Sequence, residues 1–203
     1  MTSSPSRRIE PVTLEGRIVR LEPMSLDHVE GLAAVAGDPA IWRWTTGRRM
    51  DHAAMRQWVA TALANRDAGT EHPWVTVDPA TGRPIGSSRY LNIVLEHRRL
   101  EIGWTWVTPS WQRRGANREA KLLMIGHAFE ALGCMRVEFK TDALNAQSRA
   151  ALAGIGATFE GIFRRHMVMP DGRIRDSAYF SIIEEEWPTV KAALTESVAQ
   201  RLR

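Results

Sequence analysis

The chain has 203 residues, enough for one domain with a substantial core, and a formal net charge of +4 with an isoelectric point of about 9.8. Its 27 basic residues are nearly balanced by 23 acidic ones and no long run of like charge occurs, so the surface leans toward anionic partners without a nucleic-acid signature. The single cysteine, Cys134, excludes an intrachain disulfide and a cysteine-based zinc site. The six histidines lack helical metal-ligand spacing, and no window approaches the roughly 18 apolar residues of a membrane helix. Composition therefore predicts a soluble, cytoplasmic, metal-free protein.

The run "GRIVRLEP" alternates polar and apolar residues and stops at Pro23, which predicts a strand. Ser25 then caps a helix with Leu26, Val29, Leu32, Ala33 and Ala36 on one face and "GDP" as its stop. A second helix follows, capped by Asp51 and ended by Gly69, with Met55, Trp58, Val59, Ala62 and Leu63 as its apolar stripe. "PWVTVD" and "GRPIGSSRYLNIV" read as two antiparallel strands turning between Asp78 and Arg83, and "RRLEIGWTWVT" as a third.

After the segment "SWQRRGAN" comes a helix on which Leu122, Ile125, Phe129 and Leu132 recur at helical spacing up to Gly133. "MRVEFKTD" is a strand, and "NAQSRAALAGIG" a short helix capped by Asn145. "ATFEGIFRRHMVM" and "RIRDSAYFSII" form a hairpin around Pro-Asp-Gly, and the tail is a helix with Val190, Leu194, Val198 and Leu202 on one face. The order is β-α-α-β-β-β-α-β-α-β-β plus a C-terminal helix. Three strands ahead of a strand-helix-strand crossover imply an α/β (α+β) fold, with a mixed, mostly antiparallel central sheet and helices on both faces. The expected organisation is a flexible N-terminus at 1–11, one domain at 12–187 and a C-terminal helix at 188–203.

Between strand and helix, "QRRGAN" has the chemistry of a phosphate cradle. Helix-start N–H groups are unpaired and electropositive, Gly115 permits close backbone approach, and Arg113 and Arg114 offer forked hydrogen bonds. It lacks the Lys-Ser/Thr of a nucleotide-hydrolase loop and the three glycines of a dinucleotide fingerprint. A phosphate-bearing cofactor bound without magnesium fits better.

Residues Gln112, Arg113, Arg114, Gly115 and Ala116 resemble the Gln/Arg-x-x-Gly-x-Gly/Ala motif of the GNAT N-acetyltransferase superfamily, with Ala116 where glycine is often found. The likeness runs from about Val12 to Trp187 through "RIVRLEP", "DPAIWRWT", "EIGWTWV", "NAQS" and "RIRDSAYFSII". It is similar to the branch of ribosomal-protein N-terminal acetyltransferases of the RimJ/RimL type. The resemblance implies a single GNAT-like domain using acetyl-CoA, with the pyrophosphate on the backbone of Arg113 to Asn117. The pantetheine arm would follow Trp106, Val107 and Thr108, the Val107 N–H would hold the thioester carbonyl, and Asn145 would contact the donor.

Acyl transfer to an amine needs a base and a proton source for the thiolate. Glu101, a carboxylate in a strand otherwise apolar or neutral through Val107, is the candidate base. By resemblance Ser148 is the candidate acid, with Tyr179 as its substitute. Trp42, Trp44 and Trp104 are candidate walls of an acceptor cleft for a peptide N-terminus or small-molecule amine. The likeness leaves open the acceptor, the acyl chain length and a homodimer. Two rival readings are a catalytically silent coenzyme A sensor and a basic nucleic-acid binder.

Overall fold

The computed structural model describes residues 9–45 and 50–202, so most of the segment expected to be flexible lies outside the described residues. They form one eight-stranded sheet in the order β1-β2-β3-β4-β5-β6-β8-β7. Its strands are β1 (Leu14–Glu15), β2 (Arg20–Pro23), β3 (His72–Val77), β4 (Pro84–Val94), β5 (Arg99–Val107), β6 (Arg136–Asp142), β7 (Thr158–Val168) and β8 (Ile174–Ile183). All neighbours pair antiparallel except β5 and β6. That one parallel contact follows from the helical crossover between them, which returns the chain to the same end of the sheet.

Helices α1 (Val29–Val35), α2 (Pro39–Trp42) and α3 (His52–Asp67) precede β3. The turn after α1 is not a full stop: Asp38 accepts from the Ala40 N–H at 2.8 Å and caps the short α2. On α3, Asp51 accepts from the Ala54 N–H, and Met55, Val59 and Ala62 are buried, as the apolar spacing predicts. They close a core with Leu32, Val75, Val77, Trp42 and Trp106 on one face of the sheet.

The opposite face carries α4 (Ala116–Gly126), α5 (Ala146–Ala153) and α6 (Trp187–Arg201). Leu152 of α5 and Trp187, Val190, Leu194 and Val198 of α6 enter the larger core with Leu100, Ile102, Val137, Phe139 and Ile182. On α4 the buried positions are Ala116, Glu119, Ala120, Lys121, Met124 and Ile125. The helix is thus rotated from the stripe that apolar spacing alone suggests, and two charged side chains face inward. The α4 helix widens into a π turn at His127–Ala131. There the Tyr90 hydroxyl donates to the Met124 carbonyl, and the Leu132 N–H bonds to the His127 carbonyl five residues back.

Glu119 ties the first strands to α4. Its carboxylate accepts from the N–H groups of Arg17 at 3.0 Å, Ile18 at 2.6 Å and Val19 at 2.7 Å, filling the space beside Gly16, where a Cβ would meet Oε2 at 2.5 Å. Replacing Glu119 leaves three main-chain donors unsatisfied in a buried turn. The variant Glu119→Ala is expected to lower unfolding free energy by about 3 kcal/mol, read as a lower urea midpoint. An unchanged midpoint would show that the turn is held by the sheet alone.

Candidate active site

The register of β5 locates an opening in the sheet. Its pairing with β6 covers Arg99, Leu100 and Glu101 against Arg136, Val137 and Glu138, and ends there, while β6 continues along β8 to Asp142. On the other side β5 stays joined to β4 as far as Val107, with a bulge between the Arg89–Gly103 and Ser87–Trp106 pairs. Trp104 occupies the bulge with φ +49°. The Thr108 N–H bonds to the Ile85 carbonyl at 2.8 Å, which makes Gly86–Val107 a non-hydrogen-bonded pair and turns the Val107 N–H and C=O away from β4. The Val107 carbonyl takes a 3.3 Å hydrogen bond from Gln112 Nε2. Gly86 permits this close pairing, because a Cβ there would lie 2.2 Å from the Trp106 carbonyl.

The loop from Gln112 to Ala116 has alternating backbone hand. Arg113 has φ +61° and Gly115 φ +92°, with Arg114 outside the positive range. Such alternation turns successive N–H groups toward a common concavity, and the first N–H groups of α4 add to it. Arg113 adopts a conformation that is strained for a residue with a Cβ, a cost typical of a site under functional constraint. The first backbone acceptor filled within α4 is the Gly115 carbonyl, which takes the Glu119 N–H. Asn117 Oδ1 is buried and unpaired at this point, so the loop holds both donors and a spare acceptor. This donor set fits a pyrophosphate.

Two features here carry no sequence signal because they depend on contacts with α6. Arg201 Nη1 donates to the Arg113 carbonyl at 3.4 Å, and Arg118 donates to Ser197 Oγ. The arginines at the cradle therefore number more than the two beside Gly115.

Alternation along the strands separates the remaining candidates by face. Leu100 and Ile102 lie in the core under α4, so Glu101 points to the other side, where it is 2% exposed. Its Oε2 accepts from Asn92 Nδ2 at 2.7 Å and pairs with Lys140 at 3.5 Å. Tyr179, between the core residues Ala178 and Phe180, shares that face. It is the register partner of Lys140 and stacks on Phe163 with ring centroids 4.1 Å apart. Burial, then the Glu101 charge, holds its hydroxyl above the ordinary tyrosine range, so it stays protonated as a proton donor should. Ser148 lies at the start of α5, where its N–H bonds to Asn145 Oδ1 at 3.0 Å. Asn145 is thereby engaged as a cap.

The tryptophans divide. Trp106 is buried with Trp42 and Trp58, its centroid 5.4 Å from that of Trp42, and its own N–H and C=O, next to a non-hydrogen-bonded pair, point toward Ser87 of β4. Trp104 lies within 5.6 Å of the Arg89 guanidinium, which sits 4.0 Å over Trp58 and pairs with Glu71 at 2.7 Å. Trp42 and Trp44 line a cleft of about 560 Å³ with Leu144, Met169 and Arg173. Arg173 is held by the buried Asp142 at 2.6 Å. Lys121 is the residue that sequence reasoning passed over. It is 4% exposed, its Nζ donates to Thr105 Oγ1 at 2.8 Å, and burial pushes its ammonium down to about 7, with Glu101 opposing the shift.

Comparison with known proteins agrees with this geometry. A solved GCN5-related N-acetyltransferase from Brucella melitensis is 32% identical, with a TM-score of 0.88 over 94% of this chain and 87% of that one. RimJ from Mycobacterium smegmatis, at 24% identity, shares the fold with a TM-score of 0.80 over 92% of this chain and 95% of its own. The FsC-acetyl coenzyme A-N(2)-transacetylase of Aspergillus fumigatus is 35% identical over 101 residues, which are 49% of this chain and 43% of that protein. The chain spans about half the length of the curated relatives it matches. The family model described as acetyltransferase (GNAT) domain matches residues 19–158. With a sheet that parts beside a bulged strand and a left-handed loop opening α4, the chain belongs to the GNAT acetyltransferase family.

Proposed function

We propose that the protein transfers an acetyl group from acetyl-CoA to an amine, by direct attack within a ternary complex. The observation that carries the proposal is the outward-turned Val107 N–H at a level where β5 has lost its β6 neighbour. An extended acyl-pantetheine chain in the gap would meet the Val107 N–H, which β4 does not take. In this reading the N–H groups from Arg113 to Asn117 hold the pyrophosphate and the exposed Arg113 and Arg114 add charge. The Val107 N–H donates to the thioester carbonyl and to the oxyanion formed from it.

The attacking amine loses its proton toward Glu101, directly or through water, and the leaving sulfur gains one from Ser148 or Tyr179. The acceptor, a peptide N-terminus or a small-molecule amine, enters from the cleft walled by Trp42 and Trp44, on the side to which Glu101 faces. The signature at "QRRGAN" and "NAQS" favours the RimJ/RimL-type branch. A panel of amines and peptides with acetyl-CoA, read by thiol release and mass shift, tests the activity. Tight donor binding with no thiol release for any acceptor would favour the silent sensor instead.

Backbone and arginine contributions to the cradle are separable. The pair of changes R113A and R114A is expected to weaken coenzyme A binding by about tenfold, and less at high salt. Gly115→Val forces a branched side chain into a left-handed position, where its Cβ would lie 2.8 Å from Ile18 Cδ1. It should weaken binding more than the double arginine change does, by calorimetry. If the arginine variant binds more weakly, side chains dominate and the backbone cradle is wrong.

Removing the Val107 N–H by Val107→Pro is expected to cost roughly 100-fold or more in kcat, with donor binding measured alongside to separate assembly from chemistry. Glu101→Gln should keep coenzyme A affinity and lower kcat/KM for the acceptor by about 100-fold. A rate like that of the wild type would remove Glu101 from the mechanism.

A further inference from the structure

Lys121 lies on the face of α4 that packs on the sheet, among buried neighbours Ala120, Met124 and Ile125. Its Nζ bonds to Thr105 Oγ1 at 2.8 Å, and Thr105 shares a 2.7 Å hydroxyl contact with Ser88. On its other side the Phe139 ring centroid is 5.7 Å away. Thr105 belongs to β5 and Phe139 to β6, both beyond the last β5–β6 pair. The ammonium therefore sits at the gap from the α4 side, while Glu101 and Lys140 flank it on the opposite face. Among the described residues Lys121 forms no ion pair, and the Glu101 carboxylate, on the opposite face, is paired with Lys140.

A buried ammonium with a hydroxyl as its hydrogen-bond partner is costly and needs a compensating charge. We propose that Lys121 is the cation of the donor site, placed to stabilise the coenzyme A thiolate as it leaves. The inference rests on the donor reading given above. As the amine nitrogen bonds to the acyl carbon, the C–S bond breaks and its electron pair moves to sulfur. The amine's proton goes to Glu101 or solvent, and Lys121, keeping its own proton, balances the new negative charge until Ser148 or Tyr179 protonates the sulfur.

Two further observations fit. Burial holds the Lys121 ammonium at about 7, so an anion beside it would restore the charged form, and by linkage the ammonium would favour the thiolate over the thiol. The other titratable groups around the gap are Glu101 on β5, Lys140 and Asp142 on β6, and Arg175 and Tyr179 on β8, with Asp142 paired to Arg173. Of these, Glu101 and Lys140 offset one another.

The test is the ionisation of coenzyme A bound to the full chain, followed by thiolate ultraviolet absorbance across pH. It is run for the wild type and for K121M, K121Q and K121R, with calorimetry for affinity. K121Q keeps a donor for Thr105 but no charge, so it separates electrostatics from support of the bulge. In the wild type and K121R, the bound thiol is expected to ionise at least about one pH unit below free coenzyme A, a tenfold bias toward thiolate. In K121M and K121Q this bias disappears, and kcat falls roughly 100-fold with donor KM little changed. The inference is overturned if K121Q retains the wild-type thiol ionisation, or if coenzyme A bound to the wild type ionises like the free molecule. Failure of the wild type to bind coenzyme A would instead overturn the donor reading itself, and this inference with it.

Discussion

The structure turns on the parting of β5 from β6 after three residue pairs. A parallel pair joined through α4 must start together, because the crossover returns the chain to the same end of the sheet. Nothing in the topology requires the strands to remain together. The bulge at Trp104 increases the twist of β5, and the antiparallel hold of β4 on one side and β8 on the other draws the two strands to different neighbours. What results is a gap in the middle of a sheet, lined by main-chain groups whose usual partners have gone. Such groups would be a liability at an outer edge. In the proposed function they face an extended, amide-bearing chain.

Everything around the gap can be understood as keeping it open and setting the charge on either side. Gly86 lets β4 press against the backbone of β5. Trp42, Trp58 and Trp106 fill the space under α1 and α3 with a rigid aromatic cluster. Glu119 draws the turn before β2 against α4, so that the cradle at Gly115 is backed by Ile18 on one side and Arg201 on the other. The C-terminal helix is part of this arrangement, since its side chains enter the same core as β5 and β6.

Electrostatics at the gap are unequal across the sheet. On the open face Glu101, Lys140 and Tyr179 form a coupled group, with Asn92 fixing the carboxylate. On the α4 face Lys121 stands without an ion-pair partner among the described residues. In the proposed reaction the base and the counter-charge are kept apart by the strand itself.

Local chemistry made much of this legible from residues alone. Period-two strands, Asp51 and Asn145 as caps, the Pro-Asp-Gly turn and the "QRRGAN" junction are written in short stretches whose backbone preferences do not depend on distant partners, and the structure has them where the sequence places them. The α4 stripe was displaced for a physical reason: hydrophobic spacing cannot register a buried face that includes Glu119 and Lys121, since those side chains are inside only because a loop 100 residues earlier and a hydroxyl on β5 receive them. The side-chain role of Trp106, the approach of Arg201 to the cradle and the outward turn of Val107 likewise depend on which strands pair and which part. The sequence determined the elements and the donor-like turn through local conformational energy; only the tertiary structure, by satisfying some polar groups and leaving others beside the gap, decided which residues face one another there.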